Sequence, residues 1–328
     1  MFFLSTFKFS ALAIAEIFLI GLSGFVLARK GIISDQGLKT LSRLVVEVSL
    51  PALIFSRLLS DFNFQGFPNW WLFPLISFGL TLFGLAIGYL FLKADKSLSQ
   101  KNEFLGLIAF QNSGYLPLAL AATILPPSEA ERMFIYIFLF LLGFNALIWS
   151  FGVHLLSKHR GKRFEFGSVF TPPLLATLGA LLIIFLRTES FVPRIVLKPL
   201  AMLGDCAIPL GLMIVGGSLT FVSPEGKTRK RSLINLGLGK LIILPILVFL
   251  FVIWIKPPRL IGLLLLVEAM MPSATSLSII AQRYSADCTT GCRLQAKQIQ
   301  NGNTPIEKKL HIYKRRGLLR FIMEGYPL

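Results

Sequence analysis

The sequence predicts an all-α polytopic membrane protein, built from inverted five-helix repeats with crossing broken helices. Three observations carry that expectation: apolar composition, a succession of apolar runs between basic loops, and two proline pairs at matched separation. Hydrophobic residues make up 54% of the 328 residues and charged residues only 15%, with a mean hydropathy of +0.72. Soluble domains carry about one quarter charged residues. The net charge of +17 suits nucleic acid in a soluble chain. In an apolar chain it reads as basic cytoplasmic loops, and no nucleic-acid partner is expected. The cysteines, Cys206, Cys288 and Cys292, form neither a disulfide framework nor a zinc pattern. The histidines, His154, His159 and His311, fall in loops or the tail. No metal site, cofactor or catalytic residue is expected.

A helix needs about twenty apolar residues to cross a bilayer. Candidate spans run at 9–28, 38–58, 71–93, 104–124, 132–154, 169–187, 196–222, 233–255 and 260–283, about nine in all. The first is too long for a signal peptide, and Arg29 and Lys30 follow it instead of preceding it. With the N-terminus outside, one set of loops carries Lys93, Lys96, Lys101, Lys158, Arg160, Lys162, Arg163, Lys227, Arg229, Lys230 and Arg231. The opposite loops hold a sparse, mixed set including Asp61, Glu129, Glu131 and Arg259. That bias fits the positive-inside rule and predicts a multi-pass protein of the plasma membrane.

Five spans from outside end inside, so a second five-span unit would run inverted. The basic stretch "SKHRGKR" divides them. Residues 1–157 form the first five-helix repeat, 158–168 a cytoplasmic basic loop, and 169–287 a second repeat with four helices. Residues 288–328 form a basic, non-membrane tail. Span two contains "EVSLPALIF" and span seven "DCAIPLGLM"; span four contains "QNSGYLP" and span nine "EAMMPSATS". Pro51 and Pro117 stand 66 residues apart, and Pro209 and Pro272 stand 63 apart. Discontinuous helices of inverted repeats meet near the bilayer midplane, where irregular backbone is tolerated only beside a cavity or inside protein. Asn112, Ser113, Gly114 and Pro117 in span four, with Met271, Pro272, Ser273 and Thr275 in span nine, are therefore the candidate substrate-binding residues. Half-helix N-termini there would favour an anionic group such as a carboxylate. Kinked helices that merely pack through small residues are the alternative.

These segments resemble the auxin efflux carrier family, which includes plant PIN-type exporters and bacterial permeases. The resemblance runs through "GLSGFVLARKGIISDQGLKTLSRLVVEVSLPALIF", "QNSGYLPLAL", "IPLGLMIVGGSL", "GKLIILPIL" and "EAMMPSATSLSIIAQRY". It implies ten helices in two inverted repeats, as in sodium/proton antiporter and bile-acid transporter folds. Helices one, two, six and seven would form a scaffold and a homodimer interface. The remainder would move as a unit holding a small organic anion at the crossing of helices four and nine. The family's crossover asparagine matches Asn112 and its prolines match Pro117 and Pro272. Met271 departs, standing where some plant members keep a second asparagine.

Ionisable residues inside apolar spans are functional candidates by default. Glu47, Asp205 and Glu268 each stand four residues before a proline and are candidates for proton or cation coupling. Glu16 is expected at the N-terminal interface, and Lys240 is expected to snorkel toward the cytoplasmic side. Asn145 either lines the site from span five or bonds a neighbouring helix. The family pattern stops near Asp287, so the second repeat is expected to lack its tenth helix through a truncation or frameshift. A basic tail that binds anionic lipid is the other reading. The function expected is that of a secondary transporter, an efflux permease for a small organic anion. A non-transporting remnant of the same fold is the alternative. A membrane enzyme is disfavoured, and no phosphate-binding loop for ATP occurs.

Overall fold

The computed structural model describes residues 2–95, 101–157, 169–221, 230–274 and 276–277, with side chains from residue 11 onward. Thr275, the 158–168 loop and the 288–328 tail lie outside the described residues. Within them the chain is nearly all helix, with one isolated antiparallel bridge and no longer strand. The helices are α1 (Phe2–Arg29), α2 (35–61), α3 (Leu72–Ala94), α4 (Lys101–Ala109) and α5 (Tyr115–Ile124). They continue with α6 (127–157), α7 (Pro172–Phe185), α8 (194–218), α9 (230–255) and α10 (Arg259–Met270). Each predicted span coincides with one helix, except the fourth, which is two, and the ninth, whose first part is α10. Five stretches are long and apolar enough to cross a membrane: Ala11–Arg29, Leu72–Ala94, Pro127–Leu156, Arg194–Phe221 and Arg231–Ile255.

Local sequence sets the ends. Ser34 caps α2, its side chain accepting from the Gly37 amide at 3.0 Å. Prolines open α6 and α7 in the first turn, where their missing N–H would have had no partner anyway. Inside helices, prolines act differently from place to place. Pro51 and Pro245 each follow a wide π turn, Val45–Ser49 and Leu238–Ile243, so α2 and α9 are distorted but unbroken. Near Pro209, α8 turns at Cys206 between Arg194–Asp205 and Ala207–Ser218. Among the described residues, only the fourth and ninth predicted spans open into extended chain.

The helices fall into two packed groups. α1 lies along the second half of α8, while α2 packs on α7 and on the first half of α8. The second group comprises α3, α4, α6, α9 and α10. Between the groups, α5 touches α1, α8 and α6. Backbones in the first group approach very closely. A Cβ placed on Gly216 would stand 1.8 Å from the Gly21 carbonyl oxygen, so glycine is what allows that contact. Outward faces are apolar. On α9, Leu241, Ile246, Phe249, Phe251, Ile253 and Trp254 are all exposed, a surface suited to lipid and not to water.

Polar ties join loops that the charge pattern assigns to the same side. Arg259 meets Glu129 at 2.8 Å, linking the first turns of α10 and α6 at the ends of their connections. At the other face, Arg231 meets Asp95 at 3.0 Å and Asn235 donates to the same carboxylate at 3.1 Å. At the end of α2, burial raises the Asp61 carboxyl above its usual value, with Arg57 opposing that shift and Glu131 adding to it.

Candidate functional site

The site is built from two interruptions. α4 ends at Ala109 and α5 begins at Tyr115; α10 ends at Met270. The intervening segments, 110–114 and 271–274, cross and pair as a short antiparallel bridge at Gln111 and Ser273. The Asn112 amide donates to the Pro272 carbonyl at 2.8 Å, and the Ala274 amide donates to the Phe110 carbonyl at 3.0 Å. The Ser273 hydroxyl donates to the Leu107 carbonyl at 2.6 Å, capping a carbonyl at the end of α4. Proline has no amide to give, and here only its carbonyl is used. Each broken segment thus satisfies backbone groups freed in the other, as low-dielectric surroundings demand. Pro117 falls in the first turn of α5, so it starts the second half-helix instead of breaking the first.

Side chains around the bridge are buried and polar. Gln111, Ser113 and Glu268 are at most 1% exposed. Both Gln111 amide atoms, the Ser113 hydroxyl and both Glu268 oxygens lack a hydrogen-bond partner. Ser113 and Gln111 nonetheless face the Glu268 carboxylate, and Lys240 lies within electrostatic reach of it. Orphaned buried polar atoms cost about 1–3 kcal/mol each, which singles this cluster out as the candidate site.

Lys240 corrects the snorkelling expectation. It is 2% exposed, and its ammonium donates to the Ile108 carbonyl at 2.9 Å. Arg231 precedes it by nine residues, which at about 1.5 Å per residue is roughly 13 Å of helix, too deep for a lysine stem to reach the surface. It sits instead at the negative end of α4, where a cation is favoured.

The other predicted residues are distributed unevenly. Asn112, Pro117 and Met271 are buried, Gly114, Ser273 and Asn145 half-buried, and Pro272 exposed. Asn145 lies on α6 just before the wide turn Ile148–Gly152. Glu47 and Asp205 lie on exposed surface, paired at 3.3 Å with Arg43 and Arg57 respectively. Glu16 is exposed on α1. Of the three carboxylates that precede a proline by four residues, the structure brings only Glu268 to the crossing. Gln111 and Lys240 are the site groups absent from the sequence-based set. The signal for Gln111 was its place in "FQNSGYLP", and for Lys240 its depth in an apolar run.

A family profile described as membrane transport protein matches residues 9–168 and 162–292. The chain belongs to this family, the auxin efflux carriers. The match continues five residues past Asp287, where the resemblance was expected to stop. Relatives span plants, fungi and archaea. An uncharacterized transporter of Methanothermobacter thermautotrophicus is 26% identical over 277 residues, covering 84% of this chain and 88% of its own. Protein PIN-LIKES 1 of Arabidopsis thaliana is 23% identical over 349 residues, covering 86% and 74%. An uncharacterized transporter of Schizosaccharomyces pombe is 29% identical over 157 residues, 43% of this chain. The chain matches only 35% of that fungal protein's length. Family and relatives together make this a multi-pass membrane protein that functions as a transporter.

Proposed function

We propose that the chain is a secondary transporter for a small organic anion, working by alternating access, with substrate held where 110–114 crosses 271–274. The observation that carries this reading is the paired break itself. Two helices give up regular backbone at the same point and complete each other's hydrogen bonds. Irregular backbone inside a membrane protein is sustained beside a cavity or inside protein, and in inverted-repeat transporters such paired breaks hold the substrate. Asn112, Ser113, Gly114, Pro117, Met271, Pro272 and Ser273 would surround the anion, with Thr275 and Asn145 as further candidates. The N-terminus of α5 and the Lys240 ammonium supply positive potential. On this reading nine or more spans form inverted repeats, and α1, α2, α7 and α8 form a scaffold through which two copies dimerise. Lys240 offsets Glu268, and the α5 N-terminus then makes a carboxylate a better cargo than a cation.

Reconstituted full-length chain should show saturable counterflow of radiolabelled malate. Asn112→Ala should weaken malate binding by about 1–3 kcal/mol, the cost of an unmet buried polar partner. Glu16→Gln, remote on α1, should bind as the parent does. Equal binding by the Asn112 variant and the parent would remove the crossing as the substrate site.

The orientation proposed is N-terminus outside, in the plasma membrane. It is supported by the loop charges. Ser5→Cys and Ser157→Cys, each in a background lacking Cys206, Cys288 and Cys292, can be labelled with an impermeant thiol reagent. Intact cells should label Ser5→Cys, and Ser157→Cys only after permeabilisation. The reverse pattern inverts the topology.

A further inference from the structure

The buried Glu268 carboxylate poses a problem of charge. Its oxygens have no hydrogen-bond partner, and the nearby Lys240 ammonium is committed to the Ile108 carbonyl. α6 also packs on α10, but it turns Glu129 to Arg259, stacks Tyr136 on Phe73 and leaves His154 exposed. Among the described residues, Lys240 is thus the charged group facing Glu268, and together they are neutral. An anion entering the crossing would leave one uncompensated negative charge in a low-dielectric interior, a costly state. A metal cation could restore neutrality, but Lys240 already places a tethered cation there. A proton can restore it with no further space.

We propose that Glu268 is the proton-carrying group of the crossing: one proton binds its carboxylate when an anion enters beside Lys240, and departs with that anion. The exchange is balanced. One carboxylate oxygen gains a proton and becomes a hydroxyl, no bond of the anion changes, and the proton is returned to water on the far side. Protonation also turns Glu268 into a donor, which the unpaired Gln111 and Ser113 oxygens can accept. Anion and proton therefore stabilise each other's binding through one charge balance. The anion half of this rests on the transport reading above; the proton half does not.

The test has a ligand-free arm. Full-length chain in proteoliposomes is treated with dicyclohexylcarbodiimide, which attacks protonated carboxyls shielded from water, and the adduct is mapped by mass spectrometry. In this ligand-free state Glu268 should be modified at acidic pH, with labelling falling about tenfold or more as rising pH ionises the carboxyl. No pH-dependent adduct at Glu268 would overturn the proposal, whatever malate does. In the second arm, malate influx should carry protons, read with an entrapped pH dye. Glu268→Gln, a fixed mimic of the protonated state, should bind malate with a flat pH profile and move it without protons. Proton-free malate influx by the parent chain would overturn the coupling. Absence of malate binding by the parent, with labelling intact, would strike the carboxylate reading and uphold Glu268 as the proton group.

Discussion

Lys240→Met is expected to lower the stability of the folded chain by about 3–5 kcal/mol near neutral pH, the usual cost of removing one member of a buried charge pair. Two effects add. The Ile108 carbonyl loses its donor, and the Glu268 carboxylate loses its nearby positive charge. The second effect should shrink at acidic pH, because a proton on Glu268 removes the charge that Lys240 offsets. Stability lost through Lys240→Met is therefore greatest where Glu268 and Lys240 are both charged. Pairing Lys240→Met with Glu268→Gln should recover part of the loss, since neither charge remains. Thermal unfolding in detergent, followed by tryptophan fluorescence across pH, gives the double-mutant cycle directly. Strictly additive losses, with no recovery at any pH, would mean that the two groups do not interact.

That pair also marks where sequence reasoning stopped. The crossing itself was legible, because the proline spacing recurs in both halves and the polar cluster "QNSGYLP" is a local signal. Helix positions were legible for the same reason: apolar run length and loop charge are read along the chain. What was not legible is which face of a helix meets which neighbour. Glu47, Asp205 and Glu268 occupy the same position relative to a proline, yet two point outward to arginines and one is enclosed. Proline sets the backbone locally, whereas burial is decided by the partner helix, and periodicity in an all-apolar span does not name the partner. Lys240 was misjudged similarly. Its partner, Ile108, lies 132 residues away in sequence, and nothing near Lys240 announces it. The prolines taught a further distinction. A proline in the first turn of a helix, such as Pro117, is harmless there. Breaks arise where a second segment stands ready to accept the freed groups, as at Asn112 and Pro272.

Gly216→Val should be among the most damaging substitutions outside the crossing. A Cβ at Gly216 would lie 1.8 Å from the Gly21 carbonyl oxygen, and one at Gly24 would lie 2.1 Å from the Met213 carbonyl oxygen. Both obstacles are backbone, so no rotamer change can relieve them, and α1 would have to move away from α8. Helices in a membrane gain little from apolar contact with each other compared with lipid, so close van der Waals packing carries much of their association. Separating the backbones by even an ångström forfeits a large part of that attraction. The expected cost is about 3 kcal/mol, the upper end for overpacking, and it should appear as lower folded yield and a reduced Tm. Gly79 and Gly179 provide the control, since a Cβ at either meets nothing within 4 Å. Alanine at those positions should be neutral or mildly stabilising, by up to about 1 kcal/mol through helix propensity. The consequence for function follows from the packing. α5, the second half of the broken span, rests on both α1 and α8, and the Tyr115 ring at its start lies against Gly211 of α8. A chain that folds despite Gly216→Val should therefore also bind anion more weakly, because α5 has lost the surface that fixes its N-terminus. Unchanged Tm and unchanged binding in Gly216→Val would show that α1 and α8 do not make this contact in the membrane.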